Sequence, residues 1–214
     1  MPQITDIKPQ KRKKRFNIYV DGKFSFAVSA EALAKAELKI DQEISDQKIE
    51  ELIKEDDFVK VYDRVLKFFS YRPRSEKELK DWFKKKQVGE ETQKLIYQKL
   101  KNLGYLNDEE FARWWIEQRT TFRPASSRLL ALELRQKGIS REIIDKQLSN
   151  LAIKQFSEIE LAKKVAEKKL KSLRHYSYLE QRQKLVSALA RRGFSWEVIK
   201  EVIDEKLGEE YNSF

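Results

Sequence analysis

YRPRSEKELKDWFKKKQVGEETQKLIYQKLKNLGYLND, residues 71–108, reads as a helical hairpin held between two strong breaks. Arg72-Pro73-Arg74-Ser75 stops the preceding element, because the residue before a proline disfavours helical backbone. Ser75 then caps a new helix, its hydroxyl placed to accept the backbone N–H near Glu78 in a capping box of the S-x-x-E kind. Leu79, Trp82 and Phe83 follow at i, i+3 and i+4 as one apolar stripe, and Lys77, Lys80, Lys84, Lys85 and Lys86 cover the remaining surface. Gln87-Val88-Gly89 ends that helix. A second helix carries Leu95, Ile96, Leu100 and Leu103 at helical spacing, and Gly104 supplies the residue that tolerates a left-handed end.

The same pattern recurs downstream, and a repeat constrains architecture more firmly than propensity does. Arg123-Pro124-Ala125-Ser126 answers Arg72-Pro73-Arg74-Ser75. Leu130 and Leu134 then take the places of Leu79 and Phe83, and Lys137-Gly138-Ile139-Ser140 those of Lys86-Gln87-Val88-Gly89. A third copy replaces the Arg-Pro with Arg174-His175-Tyr176-Ser177 but keeps Leu185, Leu189 and the helix end Arg192-Gly193-Phe194-Ser195. The next helices align through Leu95-Ile96, Ile143-Ile144 and Val198-Ile199. The leading helices of the later copies align as well, Phe111-Ala112 and Trp115-Ile116 with Leu161-Ala162 and Val165-Ala166. One such unit, of about 50 residues, buries little core, so neighbours must stack. The expected fold is mainly α: an elongated, curved array of three tandem three-helix units, 46–107, 108–155 and 156–214, behind a small N-terminal β-hairpin element with a helix, 1–45.

Strand character is confined to the first residues. Phe16, Ile18 and Val20 alternate with Asn17 and Tyr19, Asp21-Gly22 interrupts, and Phe24, Phe26 and Val28 resume the alternation, which predicts a hairpin with an Asp-Gly turn. Residues 4–7 offer a third strand, and the basic run from Lys11 to Arg15 between them is a candidate phosphate contact or a solvated loop. Ser29 and Ser45 begin helices, and Glu55-Asp56-Asp57 marks a candidate break before an amphipathic helix carrying Phe58, Tyr62, Val65, Leu66 and Phe69.

Composition narrows the chemistry. The 214 residues hold 45 Lys+Arg against 35 Asp+Glu, a formal net charge of +10, which favours polyanions or an acidic protein surface as partners. With no cysteine, disulfides, thiolate metal sites and thiol nucleophiles are excluded, and a reducing compartment, the cytoplasm, is expected. No apolar run approaches the ~18 residues of a membrane span, so no membrane association is expected. The single histidine, His175, has no second ligand for a metal, and no phosphate-binding glycine loop or nucleophile triad is visible. Neither cofactor nor catalysis is expected, and the function left is binding.

RPRSEKEL at 72–79, LGYLNDEEFA at 103–112 and ELRQKGIS at 133–140 resemble the RecX family, regulators of the bacterial recombinase RecA. The resemblance covers roughly residue 58 to the end of the chain, and the strand-bearing beginning is similar to the extension of some members. It implies a non-enzymatic modulator, usually inhibitory, that binds within the RecA–DNA filament and limits its extension, ATPase and strand exchange in recombination, DNA repair and the SOS response. The implied partners are that filament and, more weakly alone, single- or double-stranded DNA, engaged by a monomer.

Candidate contacts are the basic side chains at the unit openings and helix ends: Arg72, Arg74 and Lys77, then Arg119, Arg123 and Arg128, then Arg135 and Lys137, with Arg191 and Arg192 as their counterparts and Lys84 and Lys85 on the first helix. An arginine fork suits phosphate and carboxylate alike, and the same residues can instead cap helix ends or hold units together. Trp114 and Trp115 are adjacent, so both cannot face one core stripe, and one is expected between units or exposed. The same residues also suit two rivals, a sequence-independent DNA-binding protein acting on the phosphate backbone and a helical scaffold for an unrelated acidic protein.

Overall fold

The computed structural model describes residues 2–11, 15–153 and 157–211. Its contacts divide the chain into two units, one holding the residues up to Arg72 together with Phe83–Tyr105, the other Pro73–Trp82 and the residues from Leu106 onward.

The first unit begins with the antiparallel sheet β1(Ile4–Pro9), β2(Arg15–Val20) and β3(Lys23–Ser29), in that spatial order. Asp21 and Gly22 turn β2 into β3 with φ of 49° and 78°, the mirror-image turn that matches strand twist. The alternation of phenylalanines does not persist. A register shift pairs Ile18 with Phe26 but Tyr19 with Phe24, so Ser25 is an extra residue on β3 and Phe24 swings out, 58% exposed, with its ring edge on Tyr19. Ile18, Phe26 and Val28 keep the buried face and pack with Ile4, Ala32, Leu38, Ile44 and Leu52, the last from the next long helix. The basic run between β1 and β2 is partly structural, since Arg15 belongs to β2 and ion-pairs inside the unit; residues 12–14 of the run lie outside the described residues.

Helix α1(Ala30–Lys35) starts at the Ser29 cap, and α2(Asp46–Ser70) at the Ser45 cap. The acidic triplet expected to break α2 does not. Asp56 is 2% exposed and fully engaged: it accepts from both terminal nitrogens of Arg15 at 2.9 and 2.6 Å, from the Ser29 N–H at 3.2 Å, and pairs with Lys60 at 2.6 Å. Burial pushes its carboxyl pKa up, but hydrogen bonds from Arg15 and Lys60 outweigh that and hold it below 3.8. A charge that looks like punctuation in the sequence is a clamp between sheet and helix. α4(Glu90–Asn102) completes this unit through Ile96 and Leu100, both fully buried. Leu95 and Leu103, placed with them by spacing alone, are each 55% exposed.

The second unit contains the start of α3(Glu76–Lys86), then α5(Asp108–Phe122), α6(Ser127–Gln136), α7(Arg141–Ile153), α8(Glu158–Leu170), α9(Tyr178–Ala190) and α10(Trp196–Tyr211). Two apolar cores organise it. Phe111, Ala112, Ile116, Leu130, Leu134 and Ile144 join α5, α6 and α7, and Leu161, Ala162, Ala166, Leu185, Leu189 and Ile199 join α8, α9 and α10. The residues aligned as repeats occupy equivalent buried places in the two cores. Both tryptophans pack on the first core, contrary to the expectation that one would leave it. Phe111 lies a helical turn before them, its ring centroid 6.0 Å from that of Trp114 and 5.9 Å from that of Trp115, and the two indoles are 6.2 Å apart, so the three rings form one mutual cluster.

Repeats meet through one recurring contact. Ser75 Oγ accepts the Glu78 N–H at 3.2 Å, starting α3, and donates to the Lys137 carbonyl at 2.7 Å, where α6 ends. Ser126 Oγ likewise accepts the Leu129 N–H, and its backbone N–H donates to the Arg192 carbonyl at 3.0 Å, where α9 ends. Gly138 and Gly193 follow those carbonyls with φ of 83° and 82°. A Cβ at Gly138 would lie 2.6 Å from Lys77 Cβ, and one at Gly193 2.6 Å from Ser126 Oγ, so conformation and space both demand glycine.

Candidate anion-binding cleft

Asn107 caps α5 by accepting the N–H groups of Glu109 and Glu110, and the helix runs until Pro124 forbids a further turn. Its last turns bring Arg119, Phe122 and Arg123 beside the ends of α8 and α9. Arg192 Nη1 donates to the Pro124 carbonyl at 3.2 Å, while the Ser126 N–H returns a bond to the Arg192 carbonyl, which fixes the end of α9 against the end of α5.

The result is a cleft of about 520 Å³ within the second unit. Phe122 and Arg123 line it from α5, Lys164, Lys168 and Lys169 from α8, and Arg191 and Arg192 from α9, with no carboxylate among its lining residues. Residues at the C-terminal ends of α5, α8 and α9 line it, and the partial negative charge of a helix C-terminus, about 0.5, is small beside the cations gathered there. Arg123, Lys168, Lys169, Arg191 and Arg192 form no salt bridge among the described residues. Arg192 records the crowding: burial, then the positive charges of Arg119 and Arg123, hold its guanidinium below its ordinary pKa, with Glu133 opposing. Phe122 stands at the lip, 64% exposed, and also lines a shallower neighbouring hollow with Trp115, Arg119 and Glu133.

Of the residues singled out in the sequence, Arg123, Arg191 and Arg192 converge here. Arg119 lies beside them but is engaged, its Nε and Nη2 donating to the two oxygens of Glu133 at 2.8 and 2.7 Å, while Trp115 Nε1 donates to the same carboxylate. Lys137 is committed to Glu78 at 2.6 Å and lies over the Trp115 ring, and Lys77 pairs with Asp81 on its own helix. Each of the three thus has a carboxylate partner within the second unit. Arg128 and Arg135 are exposed on α6, apart from the cleft lining. Arg74 is half-buried in the second unit; Arg72, half-buried, and Lys84 and Lys85, exposed, belong to the first unit. Sequence reasoning missed Phe122 and the α8 lysines. Lys164 and Lys168 stand four residues apart on one helical face, and Phe122 is an apolar residue stranded just before the Arg-Pro, the two signals that were available. Among the described residues no group of three His, Asp or Glu could hold a metal ion, and no helix is long and apolar enough to cross a membrane.

Comparison with known proteins agrees on one family. Residues 2–45 match the family model "Regulatory protein RecX N-terminal domain", 107–148 "RecX, second three-helix domain" and 157–203 "RecX, third three-helix domain". "Regulatory protein RecX" of Bacillus subtilis (strain 168) is 37% identical over 206 residues, spanning 96% of this chain and 77% of its own. The protein of that name from Listeria monocytogenes serovar 1/2a is 32% identical over 208 residues, 97% of this chain and 77% of its own. A crystal structure of regulatory protein RecX superposes with a TM-score of 0.63 at 30% identity, covering 95% of this chain and 100% of that one. RecX from Lactobacillus salivarius gives 0.55 at 28% identity over 70% of this chain and 96% of that one. On the strength of the matched domains and of relatives aligned along nearly its whole length, the chain belongs to the RecX family of regulatory proteins.

Proposed function

We propose that this chain regulates RecA–DNA filaments, binding along them without catalysing a reaction and limiting their extension, ATPase and strand exchange. The observation that carries the reading is the cleft: six cations gathered from three helices with no carboxylate lining it, in a member of a regulatory family. A filament offers DNA phosphates together with acidic protein surface, and arginine forks suit both. In this reading a monomer acts in the cytoplasm, the parts 1–45, 46–107, 108–155 and 156–214 are its working divisions, and the α5–α9 ends provide the contact. RecA ATPase on single-stranded DNA, measured with and without this protein, tests it. A fall at stoichiometric protein is expected, and no change at micromolar excess rejects the reading. The same cleft supports a second reading, direct binding to the phosphate backbone of DNA. That reading predicts tight DNA binding without RecA and a steep loss of affinity with salt.

A further inference from the structure

We infer that the cleft is built for a nucleotide unit, its phosphate held by Arg123, Arg191, Arg192 and Lys168 and its base stacked on Phe122. The inference rests on the cleft being the working surface, as in the reading above, but requires no recombinase.

Charge alone would serve any polyanion; the aromatic lip narrows the choice. Phe122 is the last residue of α5, 64% exposed, and it directly precedes the arginine that begins the cationic wall. A large apolar ring left in water beside uncompensated guanidinium groups gains nothing for folding. A base stacked on it recovers that area, and every base has a face to offer. The volume, about 520 Å³, falls in the range of sites that take small ligands. A single phosphate would leave the ring and much of the space unused, and duplex DNA hides its base faces inside the stack. The chemistry shared by a free nucleoside polyphosphate and an unpaired nucleotide within a strand is therefore what the cleft fits.

The test uses the full chain and four fluorescent probes: an oligo-dT of about ten nucleotides, the duplex of equal length, a labelled ATP, and an oligoglutamate peptide. Oligo-dT or ATP is expected to bind more tightly than duplex and peptide, and the tighter of the two identifies the source of the nucleotide. Phe122→Ala should weaken that binding about 5–100-fold, with duplex affinity unchanged and Phe122→Tyr restoring it. Arg123→Ala with Arg191→Ala should make the salt dependence of strand binding shallower by about 1.4 in log–log slope. Both arginines and Phe122 are exposed, so the variants are expected to fold, and an unchanged circular dichroism spectrum verifies this. Peptide bound as tightly as the strand assigns the cleft to acidic protein and overturns the inference. So does equal loss of strand and duplex on Phe122→Ala, or no binding of any nucleotide probe. RecA ATPase regulation persisting in that last case would leave the regulatory reading standing while this one falls.

Discussion

Arg15 and Asp56 stand 41 residues apart in the chain and meet through two hydrogen bonds of 2.9 and 2.6 Å, joining β2 to the middle of α2. Their side chains are 15% and 2% exposed, so neither can fall back on water if the other is removed. Asp56→Ala is expected to cost about 3 kcal/mol in urea unfolding, because it strands a half-buried guanidinium. Glu51→Ala, which breaks the exposed pair with Lys48, should cost under about 0.5 kcal/mol.

The same carboxyl sets an acid limit. Asp56 titrates below 3.8 when folded, so near that pH the unfolded chain binds more protons at this position than the folded one does. Its contribution is complete above the unfolded value and is lost as pH falls towards the folded one. Stability should decline below about pH 5, and Asp56→Asn should flatten that decline. Denaturation midpoints at several pH values read the difference between the two slopes.

Gly193 and Gly104 share a left-handed backbone, φ of 82° and 73°, but not their surroundings. A Cβ on Gly104 meets nothing within 4 Å, whereas one on Gly193 would come 2.6 Å from Ser126 Oγ and 2.9 Å from Leu129 Cβ. Gly104→Ala is expected to cost about 1 kcal/mol, and Gly193→Ala about 2 kcal/mol more from the overlap. Equal unfolding midpoints for the two variants would show that Ser126 and Leu129 yield to the added methyl group without cost.

Glu133 lines the hollow beside the cleft, holding Arg119 by two bonds and Trp115 by one. Glu133→Gln keeps an acceptor for the indole but removes the negative charge, releasing Arg119 as a further cation. Binding of a single-stranded oligonucleotide at low salt should tighten several-fold, with a log–log salt slope steeper by about 0.7. Fluorescence anisotropy at three or more salt concentrations measures both.

How much of this was legible follows from which interactions are local. Helix caps such as Ser75, Ser126 and Ser177 are settled within three residues, and the paired apolar positions repeat with the helical period, so the helices and their tandem order could be read directly. The continuous α2 could not. Asp56 is stabilised by Arg15 from another element, and no local pattern separates a buried, clamped aspartate from a helix breaker. The bulge at Ser25 that turns Phe24 outward depends likewise on which residue of β2 it faces. For the cleft, spacing flagged Arg123, Arg191 and Arg192, but their company with the α8 lysines arises only when α8 packs on α9, and the paired cations Lys77, Arg119 and Lys137 look the same in sequence as those three arginines.

The serine-to-helix-end contact has a direction. The first two opening motifs grip the middle helix of the copy after them, Ser75 at Lys137 and Ser126 at Arg192, a head-to-tail association of unlike surfaces. Ser177 differs from both: its hydroxyl donates to its own Glu180 at 2.7 Å in a closed capping box. In the first unit the corresponding position is Gln87, which holds a left-handed bend, φ 52°, without being glycine. Within the second unit the contact between copies is thus polar: a serine that opens one helix meets the carbonyl that closes a helix later in the chain, and no residue meets its own equivalent.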